Sequence, residues 1–534
     1  MVCEGCGDCS VASNCLSVIP VETDWGRKRH IEQSSCNKDY SCLNGFCPSF
    51  VTVEGAVLKK RVGSNAGAEA VARELAAIAA PAPWRWTGPF DLLVTGVGGT
   101  GVVTVGALVT MAAHLEGKQA SVLDFMGFAQ KGGAVLSFVR LALTPDQLNQ
   151  VRIDTQQADA LLACDMVVGA SPEALATIKH GRSRILVNTH ELATAAVVRD
   201  PDADLHSAFL IDKMRHAAGE DRVHATDAQA IAQAMLGDTL PANIVMLGVA
   251  FQSGLIPLGE AALLRAIELN GVAVESNKIA FGLGRLAVAA PAALRRLEGA
   301  GEAPAADSLD ALIERRSAFL EAYEDAAYAR RYRALVERVR AAESVLGGAL
   351  PLTEAVARQY AKLLAIKDEY EVARLYTDGS FMKSLSAQFE RWDGLRFHMA
   401  PPLLARRGPD GRPRKMKIGP WLMPAMRLLA KGRRLRGSPL DPFGHSAERK
   451  LERRLARDYV TTIDELLAGL NAGNRGLAVS IAQVPERMRG YGHVKLANVA
   501  TARGRQKELL DRWRGVPAAT GAARTIPIIA ASSH

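Results

Sequence analysis

The sequence predicts a chain of mixed α/β class in three parts. These are a cysteine-rich segment, an α/β domain on a mainly parallel sheet, and a mostly α-helical domain. Three observations carry this reading. Seven of the eight cysteines lie in the first fifty of 534 residues. A strand, a glycine loop and an apolar helix follow one another over residues 90–115, with strands and helices alternating behind them. Beyond residue 307 the apolar residues recur at helical spacing. The boundaries read as 1–60, 88–290 and 307–534.

The first segment opens with Cys3, Cys6 and Cys9 at two-residue gaps, then Cys15, Cys36, Cys42 and Cys47-Pro48. Thiolates so spaced on a tight loop point at one soft metal centre. A C-x2-C-x2-C run closed by a distant Cys-Pro is the ferredoxin-like pattern that holds cubane iron–sulfur clusters. Zinc more often takes two C-x2-C pairs, and seven thiols cannot all pair as disulfides. In two-cluster ferredoxins the fourth cysteine of a run serves the other cluster. That rule assigns Cys3, Cys6, Cys9 and Cys47 to one [4Fe-4S] cluster. Cys15, Cys36 and Cys42 remain, one ligand short. They suit a three-iron cluster, a four-iron cluster completed by Asp39 or His30, or no second cluster. The cations Arg27 to Arg29 either offset cluster charge or sit in a solvated loop.

The bulk composition, 48% hydrophobic and 23% charged, is that of a soluble protein. No apolar run reaches the roughly 18 residues of a membrane span. The start Met1-Val2-Cys3-Glu4 has no apolar signal region. The expectation is a cytoplasmic protein whose thiols stay reduced. The net charge of +9 admits an anionic cofactor, an acidic protein partner or nucleic acid.

Phe50 to Gly55 alternates as a strand, Ala66 to Ala80 reads as a helix, and Pro81 to Trp84 as a linker. Phe90 to Thr95 is a short buried strand. It runs into Gly96-Val97-Gly98-Gly99-Thr100-Gly101 and the helix Val102 to Leu115. This context gives weight to a G-x-G-x-x-G match and to a Rossmann-like domain. Gly96, Gly98, Gly99 and Gly101 would present backbone N–H groups to a phosphate; the alternative is tight loop–helix packing. Asp124, ending the strand Ala120 to Asp124, stands where dinucleotide folds bind ribose.

The glycine-rich loop from Gly127, with Lys131, is foreign to a standard dinucleotide fold. Further strands are expected at Val135–Leu141, Ala160–Gly169 and Arg184–Asn188. Helices are expected at Pro172–His180, Ile244–Ala250 and Ala261–Asn270. Cys164, in an apolar run, reads as a small buried hydrophobe.

Ala292 to Ala306 reads as a linker. Leu309 to Val339 forms one long helical run capped by Ser308, and Thr353 to Tyr376 a second. Glu369-Tyr370-Glu371 reads as a solvated face rather than a catalytic carboxylate pair. Arg406 to Arg457 is basic, with Arg406, Arg407, Arg412, Arg414, Lys415, Lys417, Lys431, Arg433, Arg434 and Arg436. Only Trp421 is interleaved, which speaks against nucleic acid. Docking of an acidic ferredoxin and coenzyme A phosphates are two further readings, and a basic surface packing on an acidic partner subunit weighs as much as these and nucleic acid together. No metalloprotease, nucleophile-elbow or Walker motif is present.

Two loops, Gly96 to Thr104 and Gly127 to Gly133, together with Ala266 to Asn277, resemble the gamma domain of 2-oxoacid:ferredoxin oxidoreductases. Cys3 to Ser10 and Ser35 to Asp39 resemble the ferredoxin segment of bacterial indolepyruvate ferredoxin oxidoreductases. The order of the three parts is similar to the C-terminal half of the long fused bacterial form.

The resemblance implies oxidative decarboxylation of an aryl 2-oxoacid. Thiamine diphosphate and magnesium would supply the carbanion chemistry, iron–sulfur clusters would pass single electrons to ferredoxin, and coenzyme A would take the acyl group. No Gly-Asp-Gly with a downstream Asn-Asn is present to hold thiamine diphosphate. The chain is therefore expected to contribute no catalytic residue and to act as a subunit or fragment beside a thiamine-bearing partner. Within the resemblance, the glycine loop and Lys131 would hold coenzyme A or contact that partner. The alternatives are an iron–sulfur flavoprotein or nucleotide-binding electron carrier using the 96–101 loop and, more distantly, an iron–sulfur protein that binds nucleic acid.

Overall fold

Leu92, Leu93 and Val94 are all fully buried in the strand Phe90–Val97. Leu92 and Val94 join one core cluster and Leu93 another. A strand apolar on both sides needs a helical layer on each face, and that requirement organises the middle of the chain. A computed structural model describes residues 2–33, 35–59, 65–82, 86–126, 133–191, 200, 202, 206–298, 308–401, 405 and 413–515.

The cysteine segment carries a hairpin of β1 (Val18–Val21) and β2 (Lys28–Ile31), then β3 (Phe50–Glu54) and β4 (Val57–Leu58). The central sheet holds β5 (Phe90–Val97), β6 (Gln119–Met126), β7 (Ala134–Ala142), β8 (Ala160–Ala163), β9 (Arg184–Asn188) and β10 (Val223–Thr226). Its order is β10-β9-β8-β5-β7-β6. β5, β8, β9 and β10 are parallel, while β7 runs antiparallel to both β5 and β6. Three further strands follow: β11 (Phe389–Arg391), β12 (Gly394–Met399) and β13 (Met416–Ile418).

On one face of the central sheet lie the helices Val102–Leu115, Ala228–Leu236, Ala242–Gln252, Glu260–Asn270 and Val274–Ala289. The other face is covered by Met166–Gly169, Pro172–Ala176 and Ser207–Ala218. The helices Ala242–Gln252 and Val274–Ala289 touch backbone to backbone. A Cβ on Gly284 would lie 2.1 Å from the Val245 carbonyl oxygen, and one on Gly248 2.0 Å from that of Phe281.

Four expectations for this region need correction. The stretch Ala160–Gly169 is a strand only to Ala163. Asp165 accepts the Val168 N–H at 2.8 Å and turns Met166–Gly169 into a short helix. The helix at Pro172 ends at Ala176. The expected linker from Ala292 begins as the helix Pro291–Leu297, with Pro at its first turn; residues 299–307 lie outside the described residues. Finally, Asp124 is not beside the glycine loop: β6 is the edge strand, separated from β5 by β7. A dinucleotide fold sets those two strands side by side. Cys164 is buried in the core, as read.

The C-terminal part is mostly helical, but its two long runs are each broken by a capping acid. Leu309–Tyr323 and Ala326–Ser344 are separate helices because Asp325 accepts the Tyr328 N–H at 2.8 Å. Pro351–Leu364 and Glu369–Thr377 are separated by the Asp368 cap on the Glu371 N–H. The breaks let the pieces pack on one another around Tyr332 and Tyr360. Tyr370 and Glu371 are buried, not solvated, and Glu371 takes Arg374 in two hydrogen bonds of 2.8 Å. Ser308 caps its helix as expected.

β3 pairs antiparallel with β12, from Phe50 opposite His398 to Glu54 opposite Gly394, and β4 pairs with β11. The end of the cysteine segment is thus sheet-bonded to the C-terminal domain. Pro83 and Trp84 of the expected linker lie outside the described residues. Among the described residues no helix is long and apolar enough to cross a membrane.

Candidate functional site

Two tight loops carry the first set of thiols, and the space between them excludes side chains. Gly5 adopts φ +70°, and a Cβ there would meet the Arg27 carbonyl oxygen at 2.0 Å. A Cβ on Gly45 would stand 2.7 Å from the Cys9 Cα. Asp8 accepts the Phe46 N–H at 2.6 Å, tying the Cys3–Cys9 loop to the loop that ends in Cys47. The Gly5 N–H points at Cys3 Sγ at 3.3 Å, and Cys47 Sγ and Ser49 Oγ are hydrogen-bonded at 2.9 Å.

The fold sorts the seven cysteines into two groups. Cys6 and Cys9 both feel the charges of Cys47 and Cys3, while Cys42 feels those of Cys36 and Cys15. All seven are free thiols. Burial pushes Cys6 up to about 12 and Cys42 up to about 11, and the neighbouring thiolates push the same way. Burial also holds Cys9 and Cys47 well above the ordinary thiol range. Left alone, such thiols stay protonated; a bound cation deprotonates them outright. Among the described residues no three Cys, His, Asp or Glu side chains converge on a single-ion site.

Of the two candidate fourth ligands, Asp39 is the one beside the second group: its charge acts on Cys42. Its carboxylate accepts the Ser41 N–H and hydroxyl at 3.0–3.1 Å. His30 is exposed on β2, with Glu32 as its charged neighbour. The Arg27–Arg29 run divides. Arg27 pairs with Glu22 at 2.5 Å, whereas Arg29 acts on Cys9 and Cys3.

The C-terminal domain encloses this segment. Tyr491 donates to the Val2 carbonyl at 2.6 Å, Tyr376 to that of Pro48 at 2.8 Å, and Arg489 to that of Gly5 at 3.5 Å. Arg316 donates to the Asp24 carbonyl and lies 3.7 Å over the Trp25 ring. Lys415 is the most telling of these neighbours. Its ammonium nitrogen is buried with no hydrogen-bond partner among the described residues, 4.6 Å over the Phe50 ring. The charges that act on it are Cys47, Cys9, Asp8 and Cys42, so it stands between the two groups. Burial draws the Lys415 proton affinity down, and anionic charge at the neighbouring thiols favours its charged form. None of these residues carries a sequence signal, because they reach the thiols from several hundred positions away.

The basic stretch is therefore not one surface. Arg406, Arg407 and Arg412 lie outside the described residues. Lys417 pairs with Glu54 at 3.3 Å, and Arg436 is buried against Asp368 at 2.6 Å. In the glycine loop, the Gly98 N–H donates to the Gly133 carbonyl at 2.7 Å. A Cβ on Gly96 would lie 2.6 Å from Val102 Cγ2. Asn243 holds the Thr100 carbonyl at 2.7 Å. Lys131 lies outside the described residues.

Residues 91–287 match the family described as pyruvate ferredoxin/flavodoxin oxidoreductase. Over 200 residues, 36% of this chain, it is 26% identical to the indolepyruvate oxidoreductase subunit IorB of Thermococcus kodakarensis and covers 94% of that subunit. Residues 91–287 thus form a domain of the pyruvate ferredoxin/flavodoxin oxidoreductase family. The IorB subunit of Pyrococcus horikoshii is likewise 26% identical over 200 residues, 36% of this chain and 94% of that subunit. Among solved structures, the pyruvate oxidoreductase subunit PORC of Thermotoga maritima is similar at 20% identity and a TM-score of 0.27. That match covers 40% of this chain and 97% of PORC. Residues 309–508 match a family of unknown function, DUF6537. The cysteine segment lies outside both matched ranges.

Proposed function

We propose that this chain is the electron-carrying, gamma-type part of an oxidoreductase that converts an aryl 2-oxoacid such as indolepyruvate to its acyl-coenzyme A. In this reading Cys3, Cys6, Cys9 and Cys47 hold a [4Fe-4S] cluster. Cys15, Cys36 and Cys42, with Asp39 beside them, hold a second centre nearer the surface. Such clusters accept and release single electrons. Thiamine diphosphate and magnesium belong to a partner chain or domain, and ferredoxin is the acceptor.

The observation that carries the reading is the Lys415 ammonium, buried without a partner and facing the thiols of both groups. A cubane spreads its four thiolates wider than a single ion does. The grouping of the thiols is therefore compatible with the lack of any three-ligand convergence. This chain's own residues orient and shield: Gly5 and Gly45 admit the close loops, Ser49 bonds to Cys47, and Tyr376 and Tyr491 hold the flanking backbone dry. The glycine loop serves packing in this reading, since its Gly98 N–H is already taken.

The test is anaerobic co-expression with a thiamine-dependent partner, then iron, sulfide and zinc analysis with electron paramagnetic resonance. Iron and acid-labile sulfide in equal amounts, with indolepyruvate-dependent reduction of ferredoxin, are expected. Stoichiometric zinc without iron would sink the reading.

A further inference from the structure

We propose that the helical domain holds a site for a phosphate ester of nucleotide size, in the cleft between Tyr323 and Arg457. A cavity of about 260 Å³ opens there, lined by Tyr323, Tyr328, Arg331, Arg436, Arg453 and Arg457 among others. A second space of about 330 Å³ adjoins it, and Arg331 and Arg457 line both. Two arginines thus stand between two neighbouring spaces, the second of which is by itself within the usual size of a small-molecule site.

Charge and chemistry define the occupant. Of the five arginines around the first cavity, two are committed: Arg436 to Asp368, and Arg449 to Glu452 and Glu369. Arg331, Arg453 and Arg457 have no carboxylate within ion-pair distance among the described residues. Two of the three acids in the lining are already engaged by other groups. Asp368 is taken by Arg436 and the Glu371 N–H. Asp441 accepts from the Gly437 and Phe443 N–H groups and the Tyr370 hydroxyl. Burial pushes Glu324 up while Arg436 and Arg331 draw it down, so it is the lining acid that still acts on Arg331. Arg331 touches the Tyr360 hydroxyl and Arg453 donates to the Gly444 carbonyl, both neutral partners that leave the positive charge in place; guanidinium forks match phosphate oxygens in geometry and charge.

Aromatic groups form the rest of the wall. Tyr323 and Tyr328 lie with ring centres 5.7 Å apart and planes 28° apart. Tyr323 is fully buried, and its hydroxyl has no hydrogen-bond partner among the described residues. A buried hydroxyl left unpaired is destabilising unless something visits it. Tyr323 is covered by Tyr328 and by Arg436, 3.8 Å over its ring, so the half-buried Tyr328 is the aromatic surface that suits a ring carrying a phosphate; free phosphate alone would leave it empty. The inference is independent of the cysteine centre.

Calorimetric titration of the full chain with ADP, adenosine and inorganic phosphate tests it. ADP is expected to bind, and adenosine not to. The double variant Arg331→Gln/Arg457→Gln should weaken ADP about tenfold or more, the loss of one or two charge-assisted contacts. Arg265→Gln, exposed and far from the cleft in the fold, should not. Tyr323→Phe should weaken ADP while leaving the melting temperature of the free chain unchanged or higher, a combination that a purely structural role would not produce. Absence of ADP binding, or equal affinity in the double variant, would overturn the proposal. Inorganic phosphate binding as tightly as ADP would overturn the assignment to an ester.

Discussion

Replacing Lys415 by methionine removes one positive charge and keeps an unbranched stem over Phe50. The side chain faces Cys47 and Cys9 of one group and Cys42 of the other. Taking a separation of about 6 Å and an effective dielectric of about 20, a unit charge contributes roughly 3 kcal/mol. For a one-electron couple that is about 120 mV. Spreading of the added electron and access of water lower the figure, so a shift of about 50–120 mV is expected. Reduction adds negative charge, which an ammonium stabilises; Lys415→Met therefore lowers the potential, and Lys415→Arg largely retains it.

In the metal-free chain the sign of the stability effect is favourable. Removing a buried, unpartnered ammonium should stabilise the fold by about 1–3 kcal/mol. An anaerobic redox titration followed by electron paramagnetic resonance reads the first effect, and urea unfolding of the metal-free chain reads the second. A potential unchanged within about 20 mV, together with a destabilised metal-free chain, would refute the electrostatic argument and make Lys415 a packing residue.

Three further outcomes are expected. Cys9→Ser should abolish the first centre, while Cys42→Ser should remove only the second; iron and sulfide content and the resonance spectrum of each variant separate one centre from two. Gly284→Ala would drive a methyl group into the Val245 carbonyl and should destabilise the α/β domain by about 3 kcal/mol, read from the urea midpoint. Burial pushes Asp91 up to about 6, although Arg140 lies 3.3 Å away and draws it down. A carboxyl raised in the folded state contributes stability that is present below its unfolded value and lost as pH rises through about 6. Relative to wild type, Asp91→Asn should therefore gain about 1–3 kcal/mol between pH 4 and pH 8. Urea melts of both proteins at the two pH values check this, and a constant difference would count against the shift.

Local patterns were legible along the chain wherever the physics is local. The helix Val102–Leu115 and the strand Arg184–Asn188 stand where the apolar runs put them. Two-residue spacing brought Cys3, Cys6 and Cys9 onto one loop. In the fold Cys9 lies within reach of the charges of Cys3, Cys6 and Cys47, and Cys42 within reach of those of Cys15 and Cys36. Helix breaks were missed at Asp325 and Asp368, because an acid within an apolar-periodic run reads as an exposed position until its carboxylate is seen capping an N–H.

Tertiary structure alone decided the rest. β3 pairs with a strand more than 340 residues away, so the cysteine segment is part of the C-terminal domain's sheet rather than an appendage. Strand partners are chosen by edge complementarity and burial, which sequence spacing does not encode. The same holds for charge. The run from Arg406 reads as one basic surface, yet Lys415 turns inward to the thiols and Arg436 is buried on Asp368. Which cations are screened and which are left unpaired depends on what packs over them. The sequence by itself therefore determined the spacing of the thiols and their loops, and only the fold determined the electrostatic surroundings in which those thiols lie.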